Sequence, residues 1–149
     1  MNRLYKAVFV ACALSVMAGA AAAGPVEDRQ ELMKSVVKSL KLSIKMVKGE
    51  LPYDAAAAAA AMQTIHDVPD KYTKLFPAGS DTHPKTEASP KIWQDMQGFL
   101  AKAEDMKTAS AKANDAASQG QDAFKAAIFG ELVKSCKGCH EAYRIKKKK

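Results

Sequence analysis

Four stretches of this chain repeat apolar residues at steps of three and four, and this spacing limits the folds open to it. The first stretch, residues 27–48, carries one apolar stripe made of Met33, Val36, Leu40, Ile44 and Val47. Residues three and four apart share one face of an α-helix, so each stripe predicts a helix with one buried side. No segment alternates with period two between turn signals, as a half-buried strand would. The sequence therefore predicts an all-α fold.

The other three stretches have the same spacing, and they cover residues 55–76, 90–118 and 122 onward. Asp54 is a candidate N-cap for the alanine-rich second stretch, in which Pro69 predicts a bend. Ser89 followed by Pro90 marks the start of the third, since proline at the first helical position needs no amide donor. Gly120 separates the third from the fourth. Four helices joined mostly by short connections predict an antiparallel four-helix bundle, which can enclose a cofactor.

The first 23 residues have the pattern of a secretory signal peptide. A positively charged start precedes an uncharged apolar run, and small residues before Gly24 offer a cleavage site. A membrane anchor would need roughly 20 apolar residues and no cleavage signature. We therefore expect residues 1–23 to be removed, and residues 24–149 to form one exported domain without stable membrane insertion.

The stretch CKGCH, residues 136–140, carries the chemistry. Cys136, Cys139 and His140 stand at positions i, i+3 and i+4 of the fourth predicted helix, so their side chains leave one narrow face together. Three uses compete for such a set: a disulfide or redox pair, half of a zinc site, or the attachment point of a covalently bound haem.

Context favours the haem. A structural zinc site needs four Cys or His ligands, and only His66 and His83 remain, each alone. A thioredoxin-type pair sits where a strand meets a helix N-terminus, whereas this motif ends an all-helical chain. In the haem interpretation the two sulfurs form thioethers to the vinyl groups, His140 binds the iron, and Gly138 leaves room for close approach. The sequence predicts one covalently attached haem c.

The chain is basic, with 23 Lys and Arg residues, 16 Asp and Glu residues and a net charge of +7. Residues 1–23 contain two of the basic residues and no acidic one, so the exported part keeps an excess of positive charge. Lysines do not interleave with aromatic residues that would stack on bases, so we expect no nucleic-acid partner. The charge favours a negatively charged protein partner, although part of it lies in a terminal KKKK tail that solvent would surround.

With these features, the chain resembles the class II c-type cytochromes, the cytochrome c′ family, over essentially all of residues 24–149. The motif stands near the C-terminus, and three further stretches are similar to the family: EDRQELMK, VKGELPYDAAA and SPKIW. The resemblance implies an antiparallel four-helix bundle with haem near one end. It also implies a periplasmic address and is compatible with a homodimer.

The resemblance also implies roles for single residues. The residue four beyond Arg29, which in the family lies over the distal haem face, is Met33 here. Met-ligated, low-spin members use a methionine of this helix, so we expect Met33 to join His140 as the second axial ligand; the alternative is a methionine that fills the core. Arg29 and Gln30 are expected to hydrogen-bond the haem propionates, and Arg144 to pack beside the imidazole.

Two functions follow from these residues. Ligation by His140 and Met33 predicts a one-electron carrier for redox protein partners that have an acidic docking surface. Without Met33 ligation, an apolar distal pocket predicts a five-coordinate binder of nitric oxide or carbon monoxide. Because the sequence has no general acid–base cluster or nucleophile arrangement, we expect no enzymatic activity, and we favour the electron carrier.

Overall fold

The computed structural model describes residues 24–145, and the regular elements in that range are helical. The predicted signal peptide and the KKKK tail lie outside it. The seven α-helices of this range are α1 (Pro25–Val47), α2 (Ala55–His66), α3 (Val68–Tyr72), α4 (Lys91–Gln94), α5 (Met96–Ala117), α6 (Gln121–Ala127) and α7 (Val133–Tyr143). A 3₁₀ turn, Thr73–Leu75, follows α3, and a π-helical segment, Ile128–Leu132, joins α6 to α7.

Four long helical units form the bundle. Helix α2 packs against both α1 and α5, α5 packs against α6 and α7, and α1 closes the ring against α6. The all-α prediction is therefore confirmed. Within residues 24–145, no helix is both long and apolar enough to cross a membrane.

Two residues predicted to begin or separate helices do so. The Asp54 carboxylate accepts a hydrogen bond from the amide of Ala57 at 3.0 Å, which caps α2. Gly120, with φ of 106°, sits between α5 and α6 in a conformation that side chains other than glycine rarely adopt.

Two helices differ from the prediction. The third predicted helix is broken at Asp95, whose carboxylate accepts bonds from the Gly98 amide (3.0 Å) and the Tyr143 hydroxyl (2.6 Å). The fourth contains the π-helical segment, which the apolar spacing did not predict. The second is interrupted next to Pro69, at Asp67, much as predicted.

The buried side chains form two clusters. The central cluster lies between α1, α2, α5 and α6, and its largest members are Met46, Met62, Ile65, Phe124, Ile128 and Leu132. Five buried alanines of α2 and α5 also belong to it, which allows these helices to approach closely. The aromatic cluster lies near the end of α7 and contains Phe76, Ile92, Phe99 and Tyr143.

Candidate haem site

Cys136 and Cys139 lie on α7 where the two clusters meet. Cys136 packs against the central cluster and Cys139 against the aromatic cluster, and both are free and partly buried. Burial raises the pKa of both thiols. A redox pair of the thioredoxin type needs a lowered thiol pKa, so the surroundings disfavour that use.

His140 follows directly and faces more solvent than the cysteines. Partial burial and the nearby Arg144 guanidinium lower the pKa of His140, which favours the neutral imidazole that binds metals. In the described part of the chain, no group of three or more His, Cys, Asp or Glu side chains could hold a metal ion, which leaves the zinc interpretation without ligands. Two thiols at an apolar boundary and an adjacent imidazole fit a covalently attached haem.

Gly138 lies between the cysteines, and its predicted role, to leave room for the haem, stays a prediction. A Cβ added there would meet no atom within 4 Å, so the protein itself does not crowd this position. Gly138 lines an open groove between α5 and α7.

Met33 projects from α1 toward the central cluster. Its side chain is partly buried and packs against the same cluster as Cys136. The predicted axial ligand and the first attachment cysteine therefore border one apolar region. This placement is compatible with ligation and with a methionine that fills the core.

Arg29 is buried, with 4% of its surface exposed, although it is charged. Its Nε donates to the Leu75 carbonyl at 2.8 Å, its Nη2 to Ser80 Oγ at 2.5 Å and its Nη1 to Thr86 Oγ1 at 3.3 Å. The guanidinium also lies 4.2 Å from the Phe76 ring centroid. These bonds use three of the five N–H donors of an arginine, so two remain for a carboxylate such as a propionate.

Gln30 is exposed beside Arg29, and its Nε2 donates to the Lys85 carbonyl at 3.1 Å. Both residues predicted to hold propionates therefore bind the loop between Phe76 and Lys91 in this structure. Their role toward the haem stays a prediction.

The chain is similar in sequence to proteins that carry a covalently attached haem. A model of the family described as Cytochrome C′ matches residues 24–144. The chain belongs to the cytochrome c′ family. Its cofactor is accordingly a covalently attached haem c, and Cys136, Cys139 and His140 are the residues that would hold it.

Several relatives show how far the similarity to this family extends. Cytochrome c-556 from Agrobacterium fabrum is 39% identical over 126 residues, which cover 85% of this chain and 84% of the relative. Other relatives are named cytochrome c′.

Two solved structures have the same fold. Cytochrome c′ from Rhodopseudomonas palustris aligns with a TM-score of 0.78 and 31% identity, covering 85% of this chain and 99% of that chain. A nitric oxide complex of a mutant cytochrome c′ from Alcaligenes xylosoxidans aligns with a TM-score of 0.72 and 31% identity, covering 83% and 98% of the two chains. The four-helix-bundle prediction is confirmed.

The end of α7 is held by a segment that the sequence analysis missed. Glu87 accepts hydrogen bonds from Nε of Arg144 at 2.9 Å and from its Nη2. The Ser89 amide donates to the Tyr143 carbonyl at 2.9 Å, and the Ile145 amide donates to the Glu87 carbonyl at 2.8 Å. The Arg144 guanidinium is close enough to lower the pKa of His140, but it is paired with Glu87, and its packing beside the imidazole stays a prediction.

Two further aromatic residues, Tyr143 and Trp93, pack near the cysteines. Tyr143 is 6% exposed, and its ring lies 5.6 Å from that of Phe99 in an edge-to-face arrangement. Trp93 meets Phe76 at 5.7 Å and donates from Nε1 to the Pro77 carbonyl at 3.2 Å. The aromatic cluster therefore extends from Cys139 to the loop that Arg29 holds.

Proposed function

We propose that this protein binds a small gaseous ligand, nitric oxide or carbon monoxide, at its haem c in the periplasm. The observation that carries the proposal is the similarity to proteins named cytochrome c′, one of which was solved as a nitric oxide complex. This similarity supports gas binding better than the electron carrier that the sequence analysis favoured. The export pattern of residues 1–23 supports the periplasmic address.

The residues of the chain have separate roles in this function. Cys136 and Cys139 would anchor the cofactor, and His140, whose pKa is lowered by partial burial and by Arg144, would bind its iron. When bound, the haem supplies an open coordination position for a diatomic ligand. Met33 and the adjacent central cluster provide an apolar lining that would exclude water from the opposite side. Because no step of this function needs proton transfer or a nucleophile, we propose no enzymatic activity.

A second candidate is the one-electron carrier with Met33 as an axial ligand. It is favoured by the position of Met33, four residues after Arg29 and beside the apolar region that Cys136 also borders. A thioether suits haem iron, and ligation by His and Met is usual in electron-carrying cytochromes. This candidate would use redox protein partners with acidic surfaces, and a homodimer is compatible with either function.

The visible absorption spectrum of the exported, haem-loaded protein separates the two. A gas binder should be high-spin, bind carbon monoxide in the reduced state, and keep its spectrum in Met33→Leu. The matched control is Met106→Leu, because Met106 packs against the same cluster from α5. A low-spin wild type that becomes high-spin in Met33→Leu, but not in Met106→Leu, would overturn gas binding and establish the carrier.

A further inference from the structure

The outward face of α1 carries a feature that the haem function does not use. Five lysines stand there at steps of four and three, and all are exposed: Lys34, Lys38, Lys41, Lys45 and Lys48. At about 100° per residue they deviate by no more than roughly 40° from one line along about 21 Å of helix. We call this row the lysine stripe.

The lysine stripe concentrates the positive charge of the described residues. Of the 23 Lys and Arg residues, two precede Gly24 and four follow Ile145, which leaves 17 in residues 24–145 with all 16 Asp and Glu. The net charge of that range is therefore +1. The five lysines of the stripe carry +5, so the other side chains of the range together carry −4. The other 12 Lys and Arg residues of the range are outnumbered by its 16 Asp and Glu residues, so the net positive charge of residues 24–145 comes from the stripe.

Acidic residues do little to neutralise the stripe. Lys34 meets Glu31 at 3.4 Å, and both side chains are about three-quarters exposed, so solvent screens the pair. The other ion pairs found within residues 24–145 involve lysines and an arginine outside the stripe. Four adjacent lysines thus face solvent without an ion-pair partner in that range.

The stripe runs away from the haem attachment site. The C-terminal half of the stripe lies beside the start of α6, as shown by the hydrogen bond from Gln121 Nε2 to the Met46 carbonyl at 3.1 Å. Cys139 lies 18 residues further along that helical unit, roughly 25 Å away at helical rise. The part of the stripe from Lys41 to Lys48 is therefore remote from the cysteines, whereas Lys34 directly follows Met33 in the sequence.

We propose that the lysine stripe docks the protein on an anionic lipid surface. The lysines stand in a straight row, so all of them can approach a flat membrane that carries negatively charged lipids. Each lysine near such a surface strengthens binding about fivefold. Val37 and Leu42, 48% and 39% exposed, flank the stripe and fit the level of the lipid headgroups. A second copy is disfavoured there, because two stripes would repel each other. The contact is peripheral, and it leaves the cysteine end free in solution.

Vesicle co-sedimentation of the haem-loaded protein tests the proposal. The vesicles contain phosphatidylcholine alone or with roughly one-third phosphatidylglycerol, at low and high salt. The stripe variant is K38Q/K41Q/K45Q, and the matched control is K71Q/K74Q/K125Q, which removes the same charge from exposed positions elsewhere. Circular dichroism and the haem spectrum verify that both variants fold.

We expect wild type to bind anionic but not neutral vesicles, with binding that falls as salt rises. The stripe variant should lose about 100-fold in affinity, and the control only a few-fold. The proposal is overturned if wild type fails to bind anionic vesicles at low salt, or if both variants lose equally, since net charge would then be sufficient. Stripe-dependent binding to polyglutamate without vesicle binding would also overturn it, in favour of an acidic protein partner.

Discussion

The two ends of the bundle are stabilised in different ways. At the end with the Gly49 and Gly120 turns, here called the turn end, short connections join helices packed by alanine and large apolar residues. At the cysteine end, the long connection between Leu75 and Lys91 covers the helices and is fixed by polar side chains, Arg29 foremost. Buried side chains pack at both ends, but only the cysteine end has a long connection that depends on the polar side chain of Arg29.

The difference fits the position of the cofactor. A bundle filled by interlocking apolar side chains has no space for a macrocycle. The cysteine end has fewer buried aliphatic side chains, and its covering loop is held by bonds that tie it to α1 and α7 rather than by its own core. It can therefore form a wall around a cofactor that the turn end has no room to hold.

The largest loss of stability is expected when one ring is removed from the aromatic cluster. Phe99 is 2% exposed, and its ring lies 4.8 Å from that of Phe76 and 5.6 Å from that of Tyr143. Phe99→Ala should lower the free energy of unfolding by about 3–5 kcal/mol, because it removes a buried aromatic side chain and leaves a cavity. Urea unfolding of the haem-loaded protein measures this loss of stability.

Phe124→Ala is the matched control at the turn end, because Phe124 is also fully buried. We expect a similar loss of stability but an unchanged haem spectrum, whereas Phe99→Ala should alter the spectrum through the wall next to Cys139. Equal spectral changes in both variants would contradict the division into two ends.

The turn end was largely predictable from the sequence, and the cysteine end only in part. Apolar spacing, Asp54 and Gly120 are local signals, and each does what its neighbours in the sequence imply. The haem motif was also predictable, because Cys136, Cys139 and His140 lie within one turn and a half of helix. The Arg29 and Glu87 contacts join residues 46 to 57 positions apart, and no spacing rule relates them.

A smaller loss of stability is expected when Arg29, the main polar side chain of the cysteine end, is replaced. Arg29→Ala leaves the Leu75 carbonyl and Ser80 without their donor and removes the guanidinium from the Phe76 ring. We expect a loss of about 2–3 kcal/mol in the free energy of unfolding and faster proteolysis of the connection that Arg29 holds.

Two variants sharpen this prediction. Arg29→Lys keeps the charge but not the planar fork, and it should recover less than half of the loss. Tyr53→Phe removes one hydrogen bond at the turn end, from the Tyr53 hydroxyl to the Ala117 carbonyl at 2.6 Å, and should cost about 1 kcal/mol. A greater loss in Tyr53→Phe than in Arg29→Ala would show that polar bonds are not concentrated at the cysteine end.

The smallest effect is expected where the two ends meet, in the π-helical segment Ile128–Leu132. Phe124, Ile128, Leu132 and Cys136 are spaced by four, and in a straight α-helix twelve residues would turn Cys136 about 120° away from Phe124. A π turn absorbs one residue, which reduces that angle to about 20° and keeps the cysteines in line with the core.

Deletion of Gly130 should therefore produce a regular helix with both faces still aligned. Gly130 is exposed, and a Cβ there would meet nothing within 4 Å, so its removal breaks no side-chain contact. We expect the free energy of unfolding to change by no more than about 1 kcal/mol, and haem attachment, measured by mass, to persist. Deletion of Ala111 from the regular helix α5 is the control: it should turn Ala113 and Ala117 about 100° out of the core and prevent folding. Loss of haem in the Gly130 deletion, with the bundle intact, would mean that the π turn itself positions Cys136 and Cys139.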